Sequence, residues 1–314
     1  MDTSLTSSVA GQHHDVTPIL DILICPNCRS QSLEIVNSDQ MRCQNCNFQY
    51  QIVDGIPVLF KDGHPHSNVE YLIKINTDDI SVYQGEDFYV QKGHAAHLVA
   101  EIDAKPDELV LDLGCGHGHV SKWIAQTSSA QVVSCDILLP VLIQVENPLV
   151  ICSSADNLVF GDNTFDRIVF TDVLEHILPD MQDMVVSEIF RVLKPGGILY
   201  VDYPGSKLPY YSGYLALNVL IAILRLFGKK VKYYSISREP EAHVNLSYPH
   251  LVNRVFASHG FSGKLIPHTT KFFSIPEPYR SIARLSNIFP LNYLFSQQLI
   301  GKLRKPELRS SGLG

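Results

Sequence analysis

Between Leu109 and Asp202 the chain alternates short apolar runs with stretches of helical character, and this constrains the fold more than any other feature. Leu109–Leu113, Gln131–Asp136, Leu149–Ala155, Phe165–Thr171 and Gly197–Asp202 read as strands, with helices at Gly118–Gln126 and Asp180–Leu193. A helical crossover returns the chain to the same end of a sheet, so the pattern predicts a parallel, doubly wound α/β sheet. Ligands of such sheets sit outside the carboxyl ends of the strands. Further helices are expected around Glu86–Asp103 and at Tyr248–His259, and late strands at Phe261–Ile266 and Gln298–Leu303. Two long insertions, 204–247 and 274–296, interrupt the pattern.

A different unit precedes this region. Cys25, Cys28, Cys43 and Cys46 form C-x2-C-x14-C-x2-C, a spacing suited to a tetrahedral zinc ion held by four thiolates with no open position. Short β-prone runs surround them at Leu33–Val36, Phe48–Val53 and Ile56–Phe60. The expected organisation is a disordered arm at 1–18, a zinc-binding unit at 19–60, a linker at 61–84 that opens with KDGHPHS, a larger domain at 85–306 and a tail at 307–314. The remaining cysteines, Cys115, Cys135 and Cys152, are odd in number and read as free thiols of a reducing compartment. No apolar leader run occurs in 1–18, so a cytoplasmic location is expected.

Charge bears on partners. The 314 residues carry a net charge of -7, and 19–60 hold Arg29 and Arg42 against Asp21, Glu34, Asp39 and Asp54, a net of -2. Nucleic-acid binding draws on Lys and Arg contacts to phosphates, so this balance argues against it.

The first strand runs into LDLGCGHGHV, with Gly114, Gly116 and Gly118 in the turn and Asp112 before it. Glycines here let backbone approach a ligand and turn sharply into a helix. The spacing departs from G-x-G-x-x-G, since the third glycine comes early and His119 stands where a small residue is needed. No Gly-Lys-Ser/Thr follows, so this is not a P-loop. A dinucleotide or another adenosine-containing cofactor fits the loop. Asp136 ends the second strand, where a carboxylate can accept from ribose hydroxyls, and Asp156 follows the third.

Taken together, VLDLGCGHGHV, Asp136, ADNLVF, NTFDRIVFTDVLEHI and RVLKPGGILYV resemble class I S-adenosylmethionine-dependent methyltransferases of the small-molecule type, over about residues 85–305. The resemblance implies a Rossmann-like, seven-stranded sheet closed by a β-hairpin. It also implies roles: the Gly114–Gly118 loop beside the methionine portion, supported by Asp112; Asp136 on the ribose; Asp156 on the adenine amino group, with Asn157 beside it. Leu113 and Ile137 would flank the cofactor, and Thr171 would lie near the transferred methyl. The segments ILICPNCRS and MRCQNCNFQYQIVDGIPVLF are similar to the zinc-ribbon family that includes the activator subunit of tRNA and protein methyltransferases. Some ribosomal-RNA guanine methyltransferases also begin with a zinc ribbon.

Methyl transfer needs a nucleophile aligned behind the sulfonium methyl, and a base if the acceptor carries a proton. His176 in TDVLEHI is the candidate base, or alternatively a histidine that positions the loop. Asp172, Glu175 and His176 also resemble a divalent-cation site of quinone-biosynthesis O-methyltransferases. Tyr203 and His243 are further pocket candidates.

The 204–247 insertion reads as a substrate lid. Leu208–Leu224 carries no charge and is followed by Arg225, Lys229, Lys230 and Lys232. Too short in its apolar part to span a bilayer, this segment suits either a core-packed lid helix with a solvated basic end or peripheral membrane contact through 208–232.

Three functions therefore follow: a methyltransferase acting on a small or lipid-like molecule, an RNA methyltransferase with a zinc docking head, or a non-catalytic cofactor-binding platform. The acidic ribbon favours the first and makes the zinc unit a structural head. Replacing Cys43 with serine is then expected to harm folding of 19–60 before cofactor affinity.

Overall fold

The computed structural model describes residues 14–63, 98–205, 207–230, 244–268, 281, 284–296 and 298–307. Four short strands make the N-terminal unit: β1 (Leu33–Asn37), β2 (Gln40–Cys43), β3 (Gln49–Val53) and β4 (Ile56–Val58). They pair antiparallel in sequence order. The β3–β4 turn is Asp54-Gly55, both at positive φ (51° and 79°), the backbone that a two-residue hairpin requires. A β-carbon at Gly55 would lie 2.5 Å from His14 O.

The larger domain contributes β5 (Leu109–Leu113), β6 (Gln131–Asp136), β7 (Val150–Cys152), β8 (Phe165–Thr171), β9 (Leu193–Pro204), β10 (Ile266–His268) and β11 (Gln298–Arg304). Their order is β7-β6-β5-β8-β9-β11-β10. The first five are parallel, and β11 runs antiparallel to both β9 and β10. This is the doubly wound sheet with a closing hairpin that the sequence predicts. Helices His119–Ser128 and Gln182–Val192 bury Val120 and Ile124, and Val185, Val186 and Ile189, as their apolar spacing of three and four requires.

The N-terminal unit does not stand apart. β4 pairs parallel with β7 through Val58 and Cys152, and Leu59 N–H donates to Cys152 O at 2.8 Å. Among the described residues one sheet of eleven strands results. Its core is continuous: Leu23, Met41 and Leu59 pack in one cluster with Leu111, Ile151 and Phe160.

Two expectations need correction. Residues 14–18 are not part of a disordered arm. Thr17–Ile22 forms a 3-10 helix, Val16 and Ile19 are buried, and Asp15 N–H donates to Pro148 O at 3.0 Å. Two apolar residues three apart supply a buried face that polar neighbours conceal in the sequence. The late strand at Phe261–Ile266 is instead Ile266–His268, with an isolated bridge from Ser262 to Arg304. Gly260 and Gly263 take φ of 92° and 110°, which breaks an extended run, and Phe261 turns into the core against Phe190. Of the helix expected around Glu86–Asp103, residues 98–102 are described and helical. Asp103 leaves the helix at φ 51°, and residues 86–97 of it, residues 1–13 and 64–84, and the tail beyond 307 lie outside the described residues.

Candidate functional site

The carboxyl ends of β5, β6 and β7 lie side by side, with Leu113 opposite Cys135 and Asp136 opposite Cys152. At the end of β5, Gly114 takes φ 75° and its N–H donates to Cys135 O at 2.8 Å. Glycine is required here twice over, because a β-carbon would fall 2.2 Å from Val173 Cγ2. Gly118 (φ 71°) starts the helix His119–Ser128, and a β-carbon there would meet Val145 Cγ1 at 2.5 Å. Gly116 differs: at φ 51° its missing β-carbon has no atom of the described residues within 4 Å.

Asp136 sits against this opening. Gly116 N–H donates to its Oδ2 and Leu138 N–H to its Oδ1, both at 2.9 Å. Burial raises its pKa and the backbone donors oppose the shift. Each carboxylate oxygen retains a further lone pair for a ligand hydroxyl.

Asp112 lies beneath the loop and is buried. Ser121 Oγ donates to its Oδ2 at 2.6 Å, Ser134 Oγ to Ser121 Oγ at 2.7 Å, and Asn147 Nδ2 to Ser134 Oγ at 2.8 Å. Burial pushes Asp112 up to about 6, against the Ser121 bond. These bonds tie the end of β5 to the helix His119–Ser128 and to β6. The Ser121–Ser134–Asn147 chain has no local sequence signal, since its members come from three separate elements.

The other expected rim residues divide. Asp156 is on the 3-10 turn Ala155–Asn157 after β7, where Ser154 Oγ donates to its Oδ1. Asn157 is turned to the N-terminal unit: its Oδ1 accepts from Arg29 Nη1 at 2.7 Å and its Nδ2 donates to Pro26 O at 3.3 Å. Leu113 is buried in the main core, so only its backbone meets the rim. Ile137 is half-buried against Ile56, Phe60 and Val145. Thr171 ends β8 half-exposed, opposite Asp202 of β9.

Beyond Thr171, Asp172 takes φ 52° and its N–H donates to Asp202 O at 2.8 Å. Glu175 is buried and His176 half-buried on the turn Leu174–His176, with His176 Nε2 4.0 Å from Glu175 Oε1. Tyr203 is fully buried on β9, and its hydroxyl has no hydrogen-bond partner among the described residues. Burial and the nearby Glu175 carboxylate raise its pKa. His243 lies outside the described residues.

The four cysteines converge. Their sulfurs lie within 4.8 Å of one another, with Cys25–Cys46 and Cys28–Cys43 both at 3.6 Å. Four sulfurs about 2.3 Å from one zinc ion stand about 3.8 Å apart, so the cage has the right size. Each knuckle closes alike: Arg29 N–H donates to Cys25 O and Asn47 N–H to Cys43 O, both at 2.8 Å. Arg29 and Asn47 then take φ of 60° and 59°. Tyr50 Oη approaches Cys25 Sγ at 3.1 Å, and Ser30 Oγ approaches Cys28 Sγ at 3.2 Å, which suits thiolates held by outer donors. Among the described residues no other group of three or more His, Cys, Asp or Glu gathers ligand atoms for a metal. Among the described residues Asp172, Glu175 and His176 do not bring their ligand atoms together: Glu175 is buried, and Asp172 is in a left-handed turn whose N–H is bonded to β9.

Arg29 is the residue that sequence reading passed over. Its guanidinium also donates to Leu158 O at 3.1 Å and to Glu188 at 3.1 and 3.2 Å. Glu188 in turn pairs with Arg191, whose Nη1 donates to Phe160 O at 2.7 Å.

Residues 111–201 match a protein-family profile described as a methyltransferase domain. Among curated relatives, a Mus musculus protein named as a probable tRNA methyltransferase 9B is 33% identical over 103 residues, 32% of this chain and 22% of that protein. The demethylmenaquinone methyltransferase of Desulfitobacterium hafniense is 29% identical over 163 residues, 47% of this chain and 64% of that enzyme. The chain spans less than two thirds of the length of these curated relatives. A chain of the Haloferax volcanii complex that contains the Trm112 methyltransferase activator superposes with a TM-score of 0.52 at 16% identity, covering 75% of this chain and 98% of that one. Residues 111–201 thus carry a methyltransferase-domain match within a doubly wound sheet, preceded by a β-rich unit with a four-cysteine cluster.

Proposed function

We propose that this chain is an S-adenosylmethionine-dependent methyltransferase whose acceptor is a small or lipid-like molecule. The observation that carries the proposal is the open space at Gly116, bordered by Asp136, on the rim of a methyltransferase domain. Gly114 and Gly118 answer to their own neighbours, whereas the room beside Gly116, next to the Asp136 carboxylate, supports a ligand there. Asp136 has the geometry to accept from vicinal hydroxyls of a ribose, and Asp156 has a carboxylate oxygen for an exocyclic amino group. When bound, the cofactor supplies an electrophilic methyl on a positively charged sulfur.

The chain's own residues would orient and shield. Thr171 borders the transfer position, and His176 beside Glu175 would hold or take a proton from an O–H or N–H acceptor. The ribbon would hold a structural zinc ion through Cys25, Cys28, Cys43 and Cys46, leaving no coordination position for chemistry. The named quinone methyltransferase relative supports a lipid-like acceptor, as does the apolar helix beside the domain.

The tRNA-named relative keeps one second reading, methylation of RNA. The ribbon's net charge of -2 stands against it. Calorimetry with S-adenosylmethionine and its demethylated product tests the cofactor. Methyl-labelled cofactor and cell extract then test the acceptor: label in the lipid or small-molecule fraction supports the proposal, and label in RNA replaces it. No cofactor binding ends both readings.

A further inference from the structure

The helix Lys207–Leu226 buries one apolar face and exposes another. Leu217, Ile221 and Leu224 pack inward. Turned away from them, Leu215 is 67% exposed, Val219 51%, Leu226 86% and Phe227, just past the helix, 76%. A helix that is apolar on all sides needs an apolar cover on each side. Beside it packs the helix Leu291–Phe295, anchored by Ser212 Oγ donating to Leu294 O. That neighbour continues the surface with Phe289 at 77% and Tyr293 at 50% exposure, their rings edge to face. Isolated exposed apolar residues are ordinary, but a contiguous patch of this kind marks a binding surface.

Charge says what covers it. The segments 207–230 and 284–296 contain no Asp or Glu, yet carry Lys207, Arg225, Lys229, Lys230 and Arg284. The chain as a whole carries a net charge of -7, so these two segments depart from its average in sign. Arg225, Lys229, Lys230 and Arg284 are exposed at its margins. A second copy of the chain would bring like charges together. An anionic lipid surface satisfies both features: acyl chains receive the apolar side chains, and headgroups receive the cations. Among the described residues no helix is long and apolar enough to cross a membrane, so the helix would lie in the interface.

We infer that this surface docks the protein onto an anionic bilayer, with the exposed face of Lys207–Leu226 and the Phe289–Tyr293 edge inserted among the lipids. The docking does not depend on the identity of the methyl acceptor or on cofactor binding.

The test is co-sedimentation of the full chain with phosphatidylcholine vesicles, with and without phosphatidylglycerol, over a salt series. Light scattering of the protein alone is run alongside. Expected is about tenfold or greater preference for anionic vesicles, weakened by salt. Leu215→Glu with Val219→Glu, both at exposed positions, should abolish retention. Lys229→Glu with Lys230→Glu should abolish the anionic preference, and each variant should keep the wild-type thermal transition. Equal retention on both vesicle types, or none, overturns the inference. So does a stable dimer in solution that Leu215→Glu splits, which would assign the surface to a second copy.

Discussion

Arg29 Nη1 donates to Asn157 Oδ1 across 2.7 Å, joining the first cysteine knuckle to the loop that follows β7. The knuckle forces Arg29 into a left-handed backbone, and that backbone projects its side chain across the junction. The loop is thereby held from three directions: Arg29 on Leu158 O, Arg191 on Phe160 O, and Ile24 N–H on Val159 O at 2.8 Å. Asp156 precedes these anchors directly. The four-cysteine unit thus braces the segment that carries a proposed cofactor contact.

Arg29→Gly separates that brace from the knuckle. Glycine accepts the left-handed backbone at no steric cost, so zinc content and folding should be retained. Cofactor affinity should fall on the order of threefold to tenfold, a modest effect because the Arg29 side chain is 36% exposed and its bonds are partly screened. Calorimetry of the zinc-loaded variant measures it. Unchanged affinity would show that the junction holds the ribbon without acting on the rim.

The glycine loop separates ligand space from packing. Gly116→Ala meets no atom within 4 Å, so its stability cost is roughly that of the backbone alone, about 1–2 kcal/mol, while cofactor affinity should fall by about tenfold or more. Gly114→Ala drives a methyl into Val173 and should destabilise the fold by roughly 3 kcal/mol or more. Denaturant titration and calorimetry on both variants check the contrast. If Gly116→Ala bound cofactor normally, the open space would not be the ligand's.

Asp112 gives the stability a pH signature. Its folded pKa of about 6 is raised above the ordinary carboxylate value by burial. A raised acid favours the folded state while protonated. Its contribution is therefore fully present below about pH 4 and is lost as pH rises through about 6, on the order of 3 kcal/mol in total. Asp112→Asn keeps an oxygen acceptor for Ser121 and removes the titration. Thermal unfolding from about pH 4 to 7 should show the variant gaining on the wild type as pH rises. Parallel pH profiles would refute the assignment.

Zinc removal should reach beyond the ribbon. The sequence suggests an independent head that fails first when Cys43→Ser breaks the cage. The β4–β7 pairing and the continuous core instead couple the two units. Chelation or Cys43→Ser should lower a single calorimetric transition by more than about 5 °C, with cofactor affinity falling alongside. Two separated transitions, with the larger domain unmoved, would restore the independent head.

What the sequence determined by itself was local. Alternating apolar periods specify strands and helices, three glycines after β5 specify a left-handed loop, and paired C-x2-C segments specify two metal knuckles. Each pattern lies within about one element, where backbone dihedrals and side-chain direction follow from neighbouring residues. Asp136 was legible for the same reason: it ends a strand, and strand ends define the rim. What only the tertiary structure decided depends on residues far apart in the chain. It turned Asn157 to Arg29, sent Leu113 into the core, buried Val16 and Ile19 in that same core, and joined ribbon to domain through the short β4–β7 pairing and the Leu23–Phe160 bridge. It also decided which side of Lys207–Leu226 is covered, because a helix apolar on every side carries no periodicity to say which face turns inward.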